Sequence, residues 1–120
     1  MEKDLFISDF DEEKRTVTIR LCGEIDHHSA VAIRREADAM LCTMRPKKLI
    51  IDLSGVEFMD SSGLGLIMGR YTVMERLGGI TVLRNPCERV KKILELARID
   101  KIMIIEKTTV RKESSPNEKK

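Results

Sequence analysis

The side chains best suited to chemistry cluster near the middle of the chain, in Phe58-Met59-Asp60-Ser61-Ser62-Gly63-Leu64-Gly65-Leu66. Two hydroxyls that follow an acid and precede two glycines admit four readings. As nucleophiles, Ser61 or Ser62 would need a base, yet the Gly-x-Ser-x-Gly elbow is absent and no His–acid pair is evident, so hydrolysis is a poor reading. As a phosphate cradle, Gly63, Gly65 and Gly69 lack a following Lys-Ser/Thr. Their GxGxxxG spacing is not the dinucleotide fingerprint, and no acid ends the next strand. As caps, Asp60, Ser61 and Ser62 are all favoured at a helix start.

The fourth reading is covalent modification by another protein. A phosphate at a helix N-terminus meets backbone amides and the positive end of the dipole, so the domain tolerates it. The added charge of about −1.5 to −2 repels an acidic partner surface and clashes with an apolar one. Asp60 next door sharpens that repulsion. A modified serine here is a binding switch that preserves the fold and performs no catalysis. The glycines need their own reason, because each costs about 1 kcal/mol in a helix relative to Ala. Close packing of helix on sheet supplies one; a bare helix start that lets a partner's surface approach supplies another.

His27 and His28 are the only histidines. Adjacent residues on a helix point about 100° apart, and neither HxxxH nor HExxH occurs, so they read as first-turn polar residues and no metal is expected. Cys22, Cys42 and Cys87 are odd in number and far apart, without CxxC spacing. They read as reduced, half-buried cysteines of a cytoplasmic protein.

The elements that would position the serines follow from periodicity. The chain has 120 residues, enough for a single core, with 42% hydrophobic and 35% charged residues. Aromatics are few, so Leu, Ile, Val and seven Met must build the core. Net charge is +2, which gives no basic field for nucleic acid. No apolar run approaches the ~20 residues of a membrane span, and Met1-Glu2-Lys3-Asp4 is not read as a signal peptide.

Residues 4–10 predict a strand, and Val17, Ile19 and Leu21 alternate along a second, Thr16–Cys22, which Gly23-Glu24-Ile25 closes. Asp26 is a good N-cap for a helix from His27 to about Met44, striped by Ala30, Ile33, Ala37, Met40, Leu41 and Met44 and stopped by Pro46. Leu49–Leu53 is a covered strand, Ser54-Gly55 a turn and Val56–Met59 a connection. A helix from about Ser62 buries Leu64, Ile67, Met68, Tyr71, Met74 and Leu77 and ends at Gly78-Gly79. Ile80–Leu83 is a strand, Asn85-Pro86 caps and opens a helix striped by Val90, Ile93, Leu94 and Ala97, and Ile102–Ile105 is the last strand.

The order β-β-α-β-α-β-α-β predicts an α/β domain with a mixed sheet of about five strands, an antiparallel start and helices mainly on one side. The domain spans 1–106, and the charged segment 107–120 is expected to be a partly disordered tail.

With the elements in place, Asp52-Leu53-Ser54-Gly55 through Asp60-Ser61-Ser62-Gly63-Leu64-Gly65 resembles the signature of the STAS domain, specifically the bacterial anti-anti-sigma factors. Gly23-Glu24-Ile25-Asp26-His27 is similar to a second family block. Gly69-Arg70-Tyr71 and Asn85-Pro86 with Val90, Lys92, Ile93 and Leu94 extend the likeness to about residues 4–106. The Asp-His-His and Gly-Arg-Tyr details look most like the sporulation branch.

The resemblance implies a regulator that is not an enzyme and needs no cofactor. Such a protein binds an anti-sigma factor that is itself a serine kinase, and so frees a sigma factor. It is then phosphorylated from ATP on the first serine, here Ser61 rather than Ser62, and is restored by a PP2C-type phosphatase. Asp26 and Asp60 would border the kinase contact, with Ser62, Gly63, Leu64 and Gly65 as a docking lip. A stress-response or scaffold STAS protein is the alternative. The resemblance departs at Ala97-Arg98-Ile99-Asp100, where many relatives carry Ser-Gly, and at the charged C-terminal segment that stands where the family has a last helix.

Overall fold

The computed structural model describes residues 6–108. In chain order the elements are β1 (Phe6–Asp11), β2 (Thr16–Ile25), α1 (His27–Met44), β3 (Lys48–Met59), α2 (Ser61–Arg76), β4 (Ile80–Arg84), α3 (Glu88–Leu96), a 3-10 turn (Ile99–Lys101) and β5 (Ile104–Glu106). The strands lie in sequence order, β1-β2-β3-β4-β5. β1 pairs antiparallel with β2, and every later pair is parallel. Each crossover therefore steps one strand in the same direction, and right-handed crossovers then place all three helices on one face. The mixed five-stranded α/β architecture expected from the pattern is the one observed.

Alternation explains the core. Val17, Ile19 and Leu21 of β2 and Leu49, Ile51 and Leu53 of β3 face the helices, where Ala30, Ile33, Ala37 and Leu41 of α1 meet them. Asp26 caps α1 with a capping box: its Oδ1 accepts from the Ser29 amide at 3.0 Å, and Ser29 Oγ accepts from the Asp26 amide at 3.1 Å. The helix ends at Arg45, whose left-handed backbone (φ 45°) precedes Pro46.

Several local expectations are corrected. Ser54-Gly55 is no turn, because β3 runs unbroken to Met59. The register instead slips twice against β2, between Arg20 and Cys22 and between Gly23 and Glu24. A slip with two residues opposing one is a bulge, and Gly55 fits there because a Cβ would lie 3.1 Å from both Leu21 O and Cys22 Sγ.

The buried face of α2 is Gly63, Leu66, Ile67, Arg70 and Met74, while Leu64, Met68, Tyr71 and Leu77 are only half-buried. The face is rotated by about one residue from the expected stripe, with Gly63 rather than Leu64 packed against Met59 of the sheet. Asn85 does not cap α3. Its backbone is left-handed (φ 56°) and its side chain is held by Thr108, so Cys87 takes the N-cap position without a side-chain bond. Ala97 is exposed at the end of that helix. Cys22 is half-buried as expected, but Cys42 and Cys87 are exposed. The expected strand residues Asp4 and Leu5, and the tail from residue 109, lie outside the described residues.

Candidate functional site

The two register slips bring β2 and β3 to an end side by side. Ile25 opposes Met59, and the Asp60 amide donates to the Ile25 carbonyl at 3.3 Å. Two helices consequently start together, α1 capped by Asp26 and α2 capped by Asp60. Residues 34 positions apart in sequence become neighbouring anions at neighbouring positive helix ends.

At α2, Asp60 Oδ1 accepts from the Ser62 amide at 2.8 Å, and its carbonyl accepts from Gly63 and Leu64 at 3.0 and 3.3 Å. The carboxylate has taken the capping role that three residues could have filled. Ser61 is left as the exposed first residue of the helix, and no hydrogen bond among the described residues engages its hydroxyl. Ser62 is half-buried. The free amides expected to greet a phosphate are largely used already, so the positive end of the helix is the main attraction left for an added charge.

The glycines divide between the two reasons offered for them. Gly63 is buried, and a Cβ there would sit 2.6 Å from Met59 Cβ, so packing on β3 demands glycine. Gly65 is exposed, Gly69 lies one turn on, and a Cβ at either meets nothing within 4 Å. Gly65 and Gly69 leave bare backbone on the surface while Gly63 belongs to the interior. Leu64 is half-buried against the core.

Between the helix starts lies a groove of about 230 Å3 lined by His27, Ala30, Val31 and Arg34 of α1 and by Ser62, Gly65 and Leu66 of α2. The Asp26 carboxyl is held below its ordinary value of 3.8, chiefly by the Ser29 amide, with burial opposing and the Ser29 hydroxyl and His28 assisting. That shift favours the carboxylate form of Asp26, the residue that precedes His27 of the groove lining. The described residues contain no cluster of three or more His, Cys, Asp or Glu that could hold a metal, and none of their helices is long and apolar enough to cross a membrane.

Two features escaped the pattern. Phe58 is 39% exposed two residues before Asp60, with the Arg89 guanidinium 5.8 Å from its ring centre. No periodic signal marks it, because the second register slip falls at that point of β3. Arg70, on the inward face of α2, is 4% exposed and places Nε 2.9 Å from Asp38 Oδ1 of α1. Burial pushes its pKa down, and Asp38 opposes that. A helical count would have put Arg70 beside Met74 and Ile67, but an arginine there reads as a wet-face residue.

The family comparison agrees with this geometry. The STAS domain model matches residues 8–112. An anti-sigma F factor antagonist of Lysinibacillus sphaericus is 39% identical over 84 residues, 70% of this chain and 72% of that protein. The anti-sigma-B factor antagonist of Bacillus subtilis is 28% identical over 97 residues, 81% of this chain and 87% of that protein. The solved structure of the Bacillus cell fate determinant SpoIIAA in its phosphorylated form is similar with a TM-score of 0.70 at 30% identity, covering 90% of this chain and 95% of that one.

Fold and sequence together define the class: the chain belongs to the STAS-domain family. Within it the chain falls among the anti-sigma factor antagonists, which are regulators and not enzymes.

Proposed function

We propose that this chain binds an anti-sigma factor that is a serine kinase, releases the sigma factor held by it, and is switched off when the kinase phosphorylates Ser61. The observation that carries this reading is the exposed, uncommitted Ser61 hydroxyl at the start of a helix that Asp60 caps in its place. In the transfer, Ser61 Oγ loses its proton and bonds the γ-phosphorus of the kinase's ATP while the bond to the β-phosphate oxygen breaks, leaving ADP on the kinase. A PP2C-type phosphatase reverses the modification by water attack, returning the hydroxyl and releasing phosphate. Asp26, Asp60, Ser62, Leu64 and Gly65 border the docking surface. Gly63 serves it from beneath by letting α2 sit close on β3.

In this reading the protein works in the cytoplasm on sporulation-type transcription, with neither nucleic acid nor membrane as a partner. Similarity to the anti-sigma F factor antagonist supports the sporulation part of this reading. Similarity to the anti-sigma-B antagonist favours a second reading, a stress-response or scaffold protein of a signalling complex. Incubation with a cognate F-type or B-type kinase and ATP, followed by mass spectrometry, separates the two. Phosphate on Ser61 with the F-type kinase is the expected result; phosphate confined to Ser62, Ser114 or Ser115 overturns the site, and reaction with the B-type kinase alone overturns the sporulation assignment.

A further inference from the structure

The groove between the starts of α1 and α2 carries more positive charge than its surroundings neutralise. Arg34 lines it from α1, opposite Ser62 and Gly65 of α2. Arg34 is exposed and closes no ion pair among the described residues. Its ordinary helical partner would be Asp38, four residues on. Asp38 is instead drawn across to Arg70 of α2, with Nε at 2.9 Å from Oδ1. Two arginines therefore share one carboxylate along the seam between the helices. Arg70 is 4% exposed, and its Nη1 is buried without a hydrogen-bond partner among the described residues. Burial is the main force that lowers the pKa of Arg70, and the charge of Arg34 adds to it against Asp38. An anion beside Arg34 balances this seam.

We infer that the phosphate, once on Ser61, crosses this groove and pairs with the Arg34 guanidinium, latching α2 to α1. The inference rests on Ser61 as the modified residue and adds the counter-ion of the modified state. At 3.6 residues per turn, Ser61 and Gly65 lie about 40° apart around α2 and about 6 Å apart along it. Ser61 thus stands above the Gly65 edge of the groove. Gly65 brings no side chain, and a Cβ there would meet nothing within 4 Å, so the space toward α1 is open. On α1 an arginine side chain leans back over the turn before its own Cα, which carries Arg34 toward the helix start. Asp60 already accepts from the Ser62, Gly63 and Leu64 amides and, as an anion next to Ser61, pushes a second negative group away. A guanidinium offers a fork of donors that fits two phosphate oxygens. Seated there, the phosphate lies across the mouth of the groove and closes it to a partner, while both helices keep their caps.

The test is a phosphorus NMR titration of the full chain carrying phosphoserine at position 61, installed during synthesis so that no kinase is needed. The charged or titratable groups around these helix starts are Asp26, His27, His28, Arg34, Asp60 and, over the Phe58 ring, Arg89. Arg34→Gln is expected to raise the second ionisation of the phosphate, ordinarily near about 6, by about half a unit at low salt. Arg34→Lys keeps the charge without the fork and is expected to recover part of that rise. High salt narrows the difference between wild type and Arg34→Gln. Arg34 is exposed, so both variants are expected to melt as wild type does before modification. A phosphate whose titration is the same in wild type and Arg34→Gln overturns the inference. So does one that responds to His27→Gln or Arg89→Gln but not to Arg34→Gln. A kinase that labels the chain only at another serine overturns the proposed function instead, and the installed phosphate still decides whether Arg34 receives it.

Discussion

The Asp60 amide donates to the Ile25 carbonyl at 3.3 Å, closing the end of β3 onto the end of β2. That bond fixes where α1 and α2 begin relative to one another. It exists only because β3 carries more residues than β2 over the same length, through two register slips. A pair of uninterrupted strands would part Asp26 from Asp60 along the strand direction.

Ser61→Ala is expected to fold and bind normally but never to be released in the presence of kinase and ATP. Ser61→Asp should weaken kinase binding about tenfold or more while shifting stability by no more than about 0.5 kcal/mol, since the site is exposed and the helix end favours negative charge. Pull-down with and without ATP checks the first, and thermal melting with a binding titration the second. Unfolding of Ser61→Asp would refute the argument that this helix start tolerates the charge.

Gly63→Ala and Gly65→Ala should diverge. At Gly63 the new methyl meets Met59 Cβ at 2.6 Å, a contact fixed to the backbone, and overpacking of this kind costs about 1–3 kcal/mol. At Gly65 the methyl meets open space, and helix propensity predicts a gain of up to about 1 kcal/mol. Denaturant midpoints measure both. If Gly65→Ala also weakens anti-sigma binding while raising the midpoint, the bare backbone serves docking.

Asp26 gives the domain a defined acid sensitivity. Its carboxyl is held below 3.8 in the fold, so the unfolded chain binds the proton more readily. The stability it contributes is present above 3.8 and is lost as pH falls through the lower folded value. Asp26→Asn keeps a capping side chain but has no proton to bind, so its melting temperature should fall less steeply than wild type below pH 3.8. Parallel slopes for the two proteins would remove Asp26 from the acid response.

The Arg70–Asp38 pair should behave asymmetrically. Asp38→Ala strands a buried guanidinium that burial already disfavours, and should cost about 1–3 kcal/mol after allowance for the partial exposure of Asp38. Arg70→Met removes the charge and fills much of the same volume, and should cost less. Urea unfolding of both variants and of the double mutant gives the coupling energy. Equal losses for the two single changes would show that packing, not charge, sets their effect.

Much of this protein was legible in the sequence. Alternation in Val17-Thr18-Ile19-Arg20-Leu21 and the helical spacing from Ala30 to Met44 fixed element types, because local hydrophobic period and burial agree there. The acid–serine–serine–glycine stretch stood out for the same reason: it breaks those periods. Cap position went to Asp60, but nothing local separates a carboxylate from a following serine as the cap, and the buried face of α2, one residue round from the expected stripe, was set by packing on the sheet. Which glycine is interior depended on the distance from Gly63 to Met59, a contact between helix and strand. The continuity of β3 through Ser54-Gly55, the exposure of Phe58 and the burial of Arg70 were likewise decided by neighbours across the sheet and between helices. Local pattern determines what each segment forms; register and inter-element packing determine which side chains meet, because those contacts join residues that the chain itself keeps far apart.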